Sequence, residues 1–186
     1  NGVNLREILT QAREQKIAIP LSISIAIMRA VLRGLHYAHQ KKDSKGRFLG
    51  IIHRDISPTN IFVTFGGEIK ILDFGISKAT QKDVHDLTPN GQMRGKFGYI
   101  SPEQISGNKF DHRADIFSCG ILMWELLTGH PLFLRDSDSE VMRAVTRAEY
   151  RSITEFRPDL DSDCDELLKK ALHIHPDSRF KTCLDF

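Results

Sequence analysis

The stretch that decides the reading is His53-Arg54-Asp55-Ile56-Ser57-Pro58-Thr59-Asn60, which runs on through Ile61 to Leu72 into Asp73-Phe74-Gly75. Ile61 to Phe65 and Glu68 to Leu72 are rich in β-branched and aromatic residues. Gly66-Gly67 between them supplies the positive φ that a tight turn needs, so the pattern predicts a β-hairpin. Such a hairpin folds the two polar ends of the stretch together. Asp55, Asn60 five residues later and Asp73 thirteen residues beyond Asn60 then converge on one site.

Helical patterns flank the hairpin. From Pro20 to Gln40, Ile23, Ile27, Val31, Leu35 and Ala38 recur at spacings of three and four, and Pro20 suits a first-turn position. Lys41 to Gly50 is polar and reads as a loop, and Gln81 to Lys96 lacks periodicity and reads as a longer one. Ala114 to Thr128 is apolar on nearly every side except at Glu125, which predicts a buried central helix ending at Gly129-His130-Pro131. Ser137-x-x-Glu140 is a capping box opening a helix to about Tyr150. Ser162 caps another over Asp163 to His173, with Leu167, Leu168, Ala171 and Leu172 as its apolar stripe. The expected fold class is mainly α with a small β-hairpin: one hairpin and about five helices.

At 186 residues and 40% hydrophobic content the chain fits one domain with a real core. Charged residues make up 27%, well mixed, with a formal net charge of +2, which gives no reason to propose nucleic acid or an anionic membrane surface as a partner. The longest apolar stretch, Ile116 to Leu127, is broken by Ser118 and Glu125 and falls short of the roughly 20 residues of a membrane span. Cys119, Cys164 and Cys183 show no metal-ligand spacing and suggest reduced thiols in a cytoplasmic setting. His36 and His39, three apart, lack a third ligand and read as ordinary helix residues. The chain begins with Asn1, not methionine, and is read as a fragment, so an anchor outside it is invisible.

Phosphoryl transfer needs a carboxylate near the incoming hydroxyl, oxygen ligands for Mg²⁺ and positive charge on the migrating group. The run from His53 to Asn60 offers a carboxylate at Asp55 and a carboxamide oxygen suited to a hard cation at Asn60, and Asp73 adds a second carboxylate. Taken together and in order, these residues resemble the protein kinase family, with its H-R-D-x-x-x-x-N loop and D-F-G turn. The resemblance implies that Asp55 orients or deprotonates the substrate hydroxyl and that Asn60 and Asp73 bind Mg²⁺. It makes Arg54 the arginine that often answers a phosphate on the activation segment; Thr88, before Pro89, is the best remaining candidate for that phosphate, and an unmodified loop threonine is the favoured reading of it. Ser101-Pro102-Glu103 resembles the A-P-E motif, and Arg179 matches the arginine that pairs with its glutamate, Glu103, in a buried bidentate ion pair. Asp115 matches the central-helix aspartate that holds the catalytic-loop backbone. His53, Phe74 and Asp115 match one packed column of the family, with Gly75 completing the turn. Leu5, Phe62, Leu122 and Leu126 match parts of another.

The resemblance covers residues 1–186 as the C-terminal lobe of a kinase domain whose whole fold is two-lobed α+β, without the N-terminal lobe or the end of the last helix. Its expected partners are ATP, the chain's own N-terminal lobe and a protein substrate bearing serine or threonine. Asn4 would approach the ribose and Phe62 the nucleotide. The insert before the loop, the Asp-Ile-Ser-Pro-Thr-Asn wording and Gly95-Lys96-Phe97 resemble bacterial serine/threonine kinases.

Two positions depart from that pattern. Ser57 stands where most such kinases carry a lysine, and Lys96 where they carry a threonine. Either Lys96 reaches over Asp55 to supply the missing charge, or it points to solvent and Ser57 tolerates a weaker site. The swap also blurs serine/threonine against tyrosine specificity. The competing classes are a pseudokinase scaffold, which intact Asp55, Asn60 and Asp73 argue against, and a small-molecule kinase of the aminoglycoside or choline type. Ser101-Pro102-Glu103 and the Asp115 helix argue against the latter.

Overall fold

The hairpin forms, and it gains a third strand. The computed structural model describes residues 1–74 and 97–186. Strand β1 (Gly2–Asn4) is followed by helices α1 (Leu5–Glu14) and α2 (Leu21–His39), then by strands β2 (Ile61–Thr64) and β3 (Ile69–Ile71). After residue 96 come α3 (Pro102–Ile105), α4 (Arg113–Thr128), α5 (Asp138–Thr146) and α6 (Ser162–Ala171). The sheet is antiparallel in the order β1-β2-β3, with Asn4 opposite Phe62 and Ile61 opposite Ile71. A three-residue strand carries too little alternation to be seen in sequence, which is why β1 was not expected. Only Gly67 of the glycine pair takes a positive φ, +83°. Thr64 N–H donates to Glu68 O at 2.9 Å, so the connection is a longer loop with one left-handed glycine, not a two-glycine turn.

Helix α1 was also unexpected. Asn4 is its N-cap, accepting from Glu7 N–H at 3.0 Å, and Leu5 and Leu9 are fully buried beneath it. On α2 the buried stripe is Ser24, Ile27, Met28, Val31, Leu32, Leu35, Ala38 and His39. Ile23, expected in that stripe, is half exposed, and Pro20 stands one residue before the helix. Ser137 caps α5 as expected, but the helix stops at Thr146. The cap of α6 is Asp161, one residue before the expected Ser162. Either side chain can cap, and a carboxylate beside the positive helix end is at least as favourable as a hydroxyl.

Helix α4 is the centre of the fold, with thirteen of its sixteen residues buried. Ile116, Cys119, Leu122 and Leu126 pack in one cluster with Leu5, Val31, Leu35, Ile56 and Ile61. Phe117, Ile121, Trp124 and Leu127 pack in a second with Phe133, Val145, Leu168 and Leu172. Each such side chain contributes about 1.5–3 kcal/mol of transfer free energy. The helix ends at Gly129, whose φ of +74° lets its N–H reach Glu125 O at 2.8 Å. The three cysteines are free, and burial pushes the Cys119 and Cys183 thiols up, which makes them poor nucleophiles. Among the described residues no helix is long and apolar enough to cross a membrane.

Two polar links join the layers. The buried Asp115 carboxylate accepts from His53 N–H at 2.8 Å, Arg54 N–H at 2.9 Å and His39 Nε2–H at 2.8 Å. Arg179, 3% exposed, donates to both oxygens of Glu103 at 2.7 and 2.8 Å and also reaches His173 O and Arg113 O. Removing one side of such a pair leaves a buried charge without compensation. Arg179→Met should therefore lower the unfolding free energy by about 3–5 kcal/mol, read as a fall in the urea midpoint at unchanged slope. Asp115→Asn presents a donor where two backbone N–H groups need acceptors. It should speed hydrogen exchange at the His53 and Arg54 amides while exchange in the core of α6 stays the same.

Candidate active site

The loop from His53 to Asn60 is held by its own hydrogen bonds as well as by Asp115. A single 3₁₀ turn spans Pro58–Asn60, closed by Asn60 N–H to Ser57 O at 3.0 Å. Asn60 Nδ2 donates to Asp55 O at 2.7 Å, which leaves Oδ1 as the acceptor end of that amide. Across the hairpin, Leu72 N–H donates to Asn60 O at 2.8 Å, and the fully buried His53 donates from Nε2 to Leu72 O at 2.9 Å. His53 Nδ1 accepts Asp55 N–H at 3.3 Å, so both ring nitrogens are used and the ring proton sits on Nε2. The ring lies 4.7 Å from that of Phe74. These bonds fix Asp55 and Asn60 against the residue that precedes Asp73.

The backbone is strained where this happens. Arg54 has φ +69° and Asp73 φ +51°, a left-handed conformation that non-glycine residues hold only when their surroundings over-determine it. At Arg54 the carboxylate of Asp115 supplies that determination, because the turn is what lets two successive N–H groups meet its two oxygens. Asp55 is half-buried and Asp73 is exposed.

Asp55, Ser57 and Thr59 line a groove of about 600 Å³ together with Arg6, Tyr99 and residues 131–138. Ser57 is buried and its hydroxyl is bonded to that of Thr59 at 2.9 Å, so the position two residues after Asp55 brings no cation. On the far side of the groove Arg6 donates to Glu125 Oε1 at 2.8 Å and to the Tyr99 hydroxyl, which itself donates to Glu125 Oε2. Burial works against the charged form of Arg6, but Tyr99 and Glu125 outweigh it and hold the guanidinium above its ordinary pKa. Burial, with Glu125 beside it, pushes the Tyr99 phenol up.

Of the residues singled out in the sequence, Asp55, Asn60, Asp73, His53 and Phe74 are brought together. Gly75, Lys96 and Thr88 lie outside the described residues. Asn4 caps α1, and its Nδ2 donates to Glu7; Phe62 is half-buried on β2 opposite Asn4. Leu5, Leu122 and Leu126 share one core cluster. Arg6 and Tyr99 were not anticipated as site residues. Glu125 was visible as the charge in the apolar body of the helix, but nothing local pointed to a partner 119 residues away. Likewise His39, read as an ordinary helix residue, is the third donor to Asp115 and approaches Cys183 Sγ at 3.7 Å. Among the described residues no three His, Cys, Asp or Glu side chains gather as a metal cluster.

The geometry has relatives. The family model for the protein kinase domain matches residues 1–184. The tyrosine-protein kinase MasK of Myxococcus xanthus is 37% identical over 185 residues, 100% of this chain and 28% of that protein. A probable serine/threonine-protein kinase of Streptomyces coelicolor is 35% identical over 98% of this chain and 25% of its own length. The serine/threonine-protein kinase PknB of Mycobacterium tuberculosis is 30% identical over 100% of this chain and 28% of its own. The crystal structure of the Mycobacterium tuberculosis PknI kinase domain superposes with a TM-score of 0.70 at 28% identity, covering 100% of this chain and 59% of that one. The chain thus spans about a quarter of the length of these curated relatives. With the match running almost from end to end, this chain belongs to the protein kinase domain family.

Proposed function

We propose that this chain is the protein-substrate lobe of an ATP- and Mg²⁺-dependent serine/threonine protein kinase, working with an ATP-binding lobe elsewhere in the same protein. The observation that carries the reading is the clasp His53–Leu72–Asn60–Asp55, which holds a carboxylate, a carboxamide oxygen and the entry to Asp73 on one surface. Serine/threonine specificity draws support from the names of the Streptomyces and Mycobacterium relatives; the name of MasK favours tyrosine as the second reading.

The substrate oxygen attacks the γ-phosphorus of ATP, the bond from phosphorus to the β–γ bridging oxygen breaks, and ADP leaves. Asp55 orients the hydroxyl and takes up its proton. Asn60 Oδ1 and the Asp73 carboxylate suit Mg²⁺, a hard cation that is held by one or two protein oxygens plus substrate phosphates and needs no all-protein cage. When bound, the ion neutralises charge developing on the phosphates. Arg54 stands beside Asp55 to answer a phosphate on the activation segment. Because Ser57 brings no cation, Lys96 is assigned the charge over Asp55, and Asn4 the approach to the ribose.

Three measurements on the full-length protein test this. Asp55→Asn should cut kcat about 10²–10⁴-fold, since an amide cannot take the proton. Turnover within a few fold of wild type would remove Asp55 from its role. Lys96→Ala should lower turnover about a hundredfold, and Ser57→Lys on that background should restore part of it; intact turnover in Lys96→Ala sinks the assignment. Phosphoamino-acid analysis of a labelled protein mixture should find serine and threonine, and label confined to tyrosine would move the enzyme to the second reading.

A further inference from the structure

The groove that holds Asp55 has a cation built into one wall, and the kinase reading alone does not use it. Glu125 is 0% exposed on its side chain, in the last turn of the buried helix α4, and it faces Arg6 at 2.8 Å and Arg13 at 3.8 Å. Arg6, in contrast, keeps 33% of its side chain exposed and lines the groove with Asp55. A guanidinium has five N–H donors, and two of them are engaged by Glu125 and Tyr99. Both terminal nitrogens are anchored, Nη1 by Glu125 and Nη2 by Tyr99, and among the described residues three N–H donors are left to offer. The guanidinium also lies 5.7 Å from the centroid of the Tyr99 ring, which restricts it further.

The rest of the groove differs in charge. Arg135 also lines it, but its guanidinium is tied to the carbonyls of Leu134 and Glu149 at 2.8 Å each. Asp136 and Asp138 add carboxylates on the same stretch. An extended peptide whose hydroxyl reaches Asp55 therefore meets a fixed cation on the α1 side.

We propose that Arg6 is a specificity-determining residue that selects acceptor segments carrying a carboxylate close to the phosphorylated residue. Glu125 and Tyr99 hold Arg6 in place. This rests on the kinase reading above. An anchored Arg is suited to the role because little side-chain entropy is left to lose when a carboxylate binds.

The test is a positional-scanning peptide array with serine, threonine or tyrosine as acceptor, phosphorylated by the full-length protein with labelled ATP. Wild type should enrich Asp and Glu about two- to fivefold at one position flanking the acceptor, the range of a partly exposed ion pair. Arg6→Ala should abolish that enrichment and, by uncovering Glu125, favour Arg or Lys at the same position. Arg6→Ala combined with Glu125→Gln, which leaves no buried charge to destabilise the fold, should lose the acidic preference without gaining the basic one. Arg6→Lys should keep a weaker acidic preference, since the charge stays and the fork is lost. An active wild type without acidic selection at any position, or an Arg6→Ala profile that superposes on wild type, overturns the inference and leaves the kinase reading standing. A wild type that labels no peptide and no protein overturns both.

Discussion

A carboxylate buried at the start of α4 sets the position of the loop that carries Asp55. Asp115 is 1% exposed, and an unpaired charge there would cost several kcal/mol. It is paid for by three donors from two other segments: the ring of His39 on α2 and the backbone N–H groups of His53 and Arg54. Its place in the first turn of α4 helps as well, because the positive end of the helix favours negative charge. The constraint works in both directions. The loop must turn through a left-handed Arg54 to satisfy the carboxylate, and once turned it has one orientation in which to present Asp55.

The second carboxylate of α4 has the opposite problem. Glu125 lies in the last turn, where the helix end is negative and no basic residue of the helix itself is at hand. Its neutralisation comes from α1, through Arg6 and more distantly Arg13, and Arg13 also donates to Gly129 O at 2.8 Å. Helix α1 is thus clamped to the C-terminal end of α4 by charge, while Leu5 and Leu9 bind it to the core by burial. The Glu103–Arg179 pair performs the same service further along the chain, tying α3 to the segment after α6.

What could be read in the sequence was what lies close in the sequence. The spacing from Asp55 to Asn60 to Asp73, the β-rich runs and the apolar stretch of α4 are local patterns, and each maps onto the element it predicts. The departures arise where a residue has two uses. The resemblance assigns Asn4 to a ligand, while Asn4-x-x-Glu7, with Leu5, Ile8 and Leu9 at helical spacing, is also a helix start. At α6 two adjacent residues can cap, and sequence alone does not choose between them. The pairs Arg6–Glu125 and His39–Asp115 join segments 119 and 76 residues apart, and only the packed fold brings them together. Glu103–Arg179, equally remote in sequence, was anticipated because a family resemblance supplied the pairing.

Asp115 and Glu125 are ten residues apart on one buried helix, about 15 Å along its axis at 1.5 Å per residue. One end fixes the loop that carries Asp55, and the other fixes the arginine that faces the same groove. The distance between Asp55 and the groove's anchored cation is therefore set by a packed element to which both the Asp55 loop and helix α1 are fastened. A helix with thirteen buried residues holds that distance firmly. Any segment that enters the groove has to match that spacing.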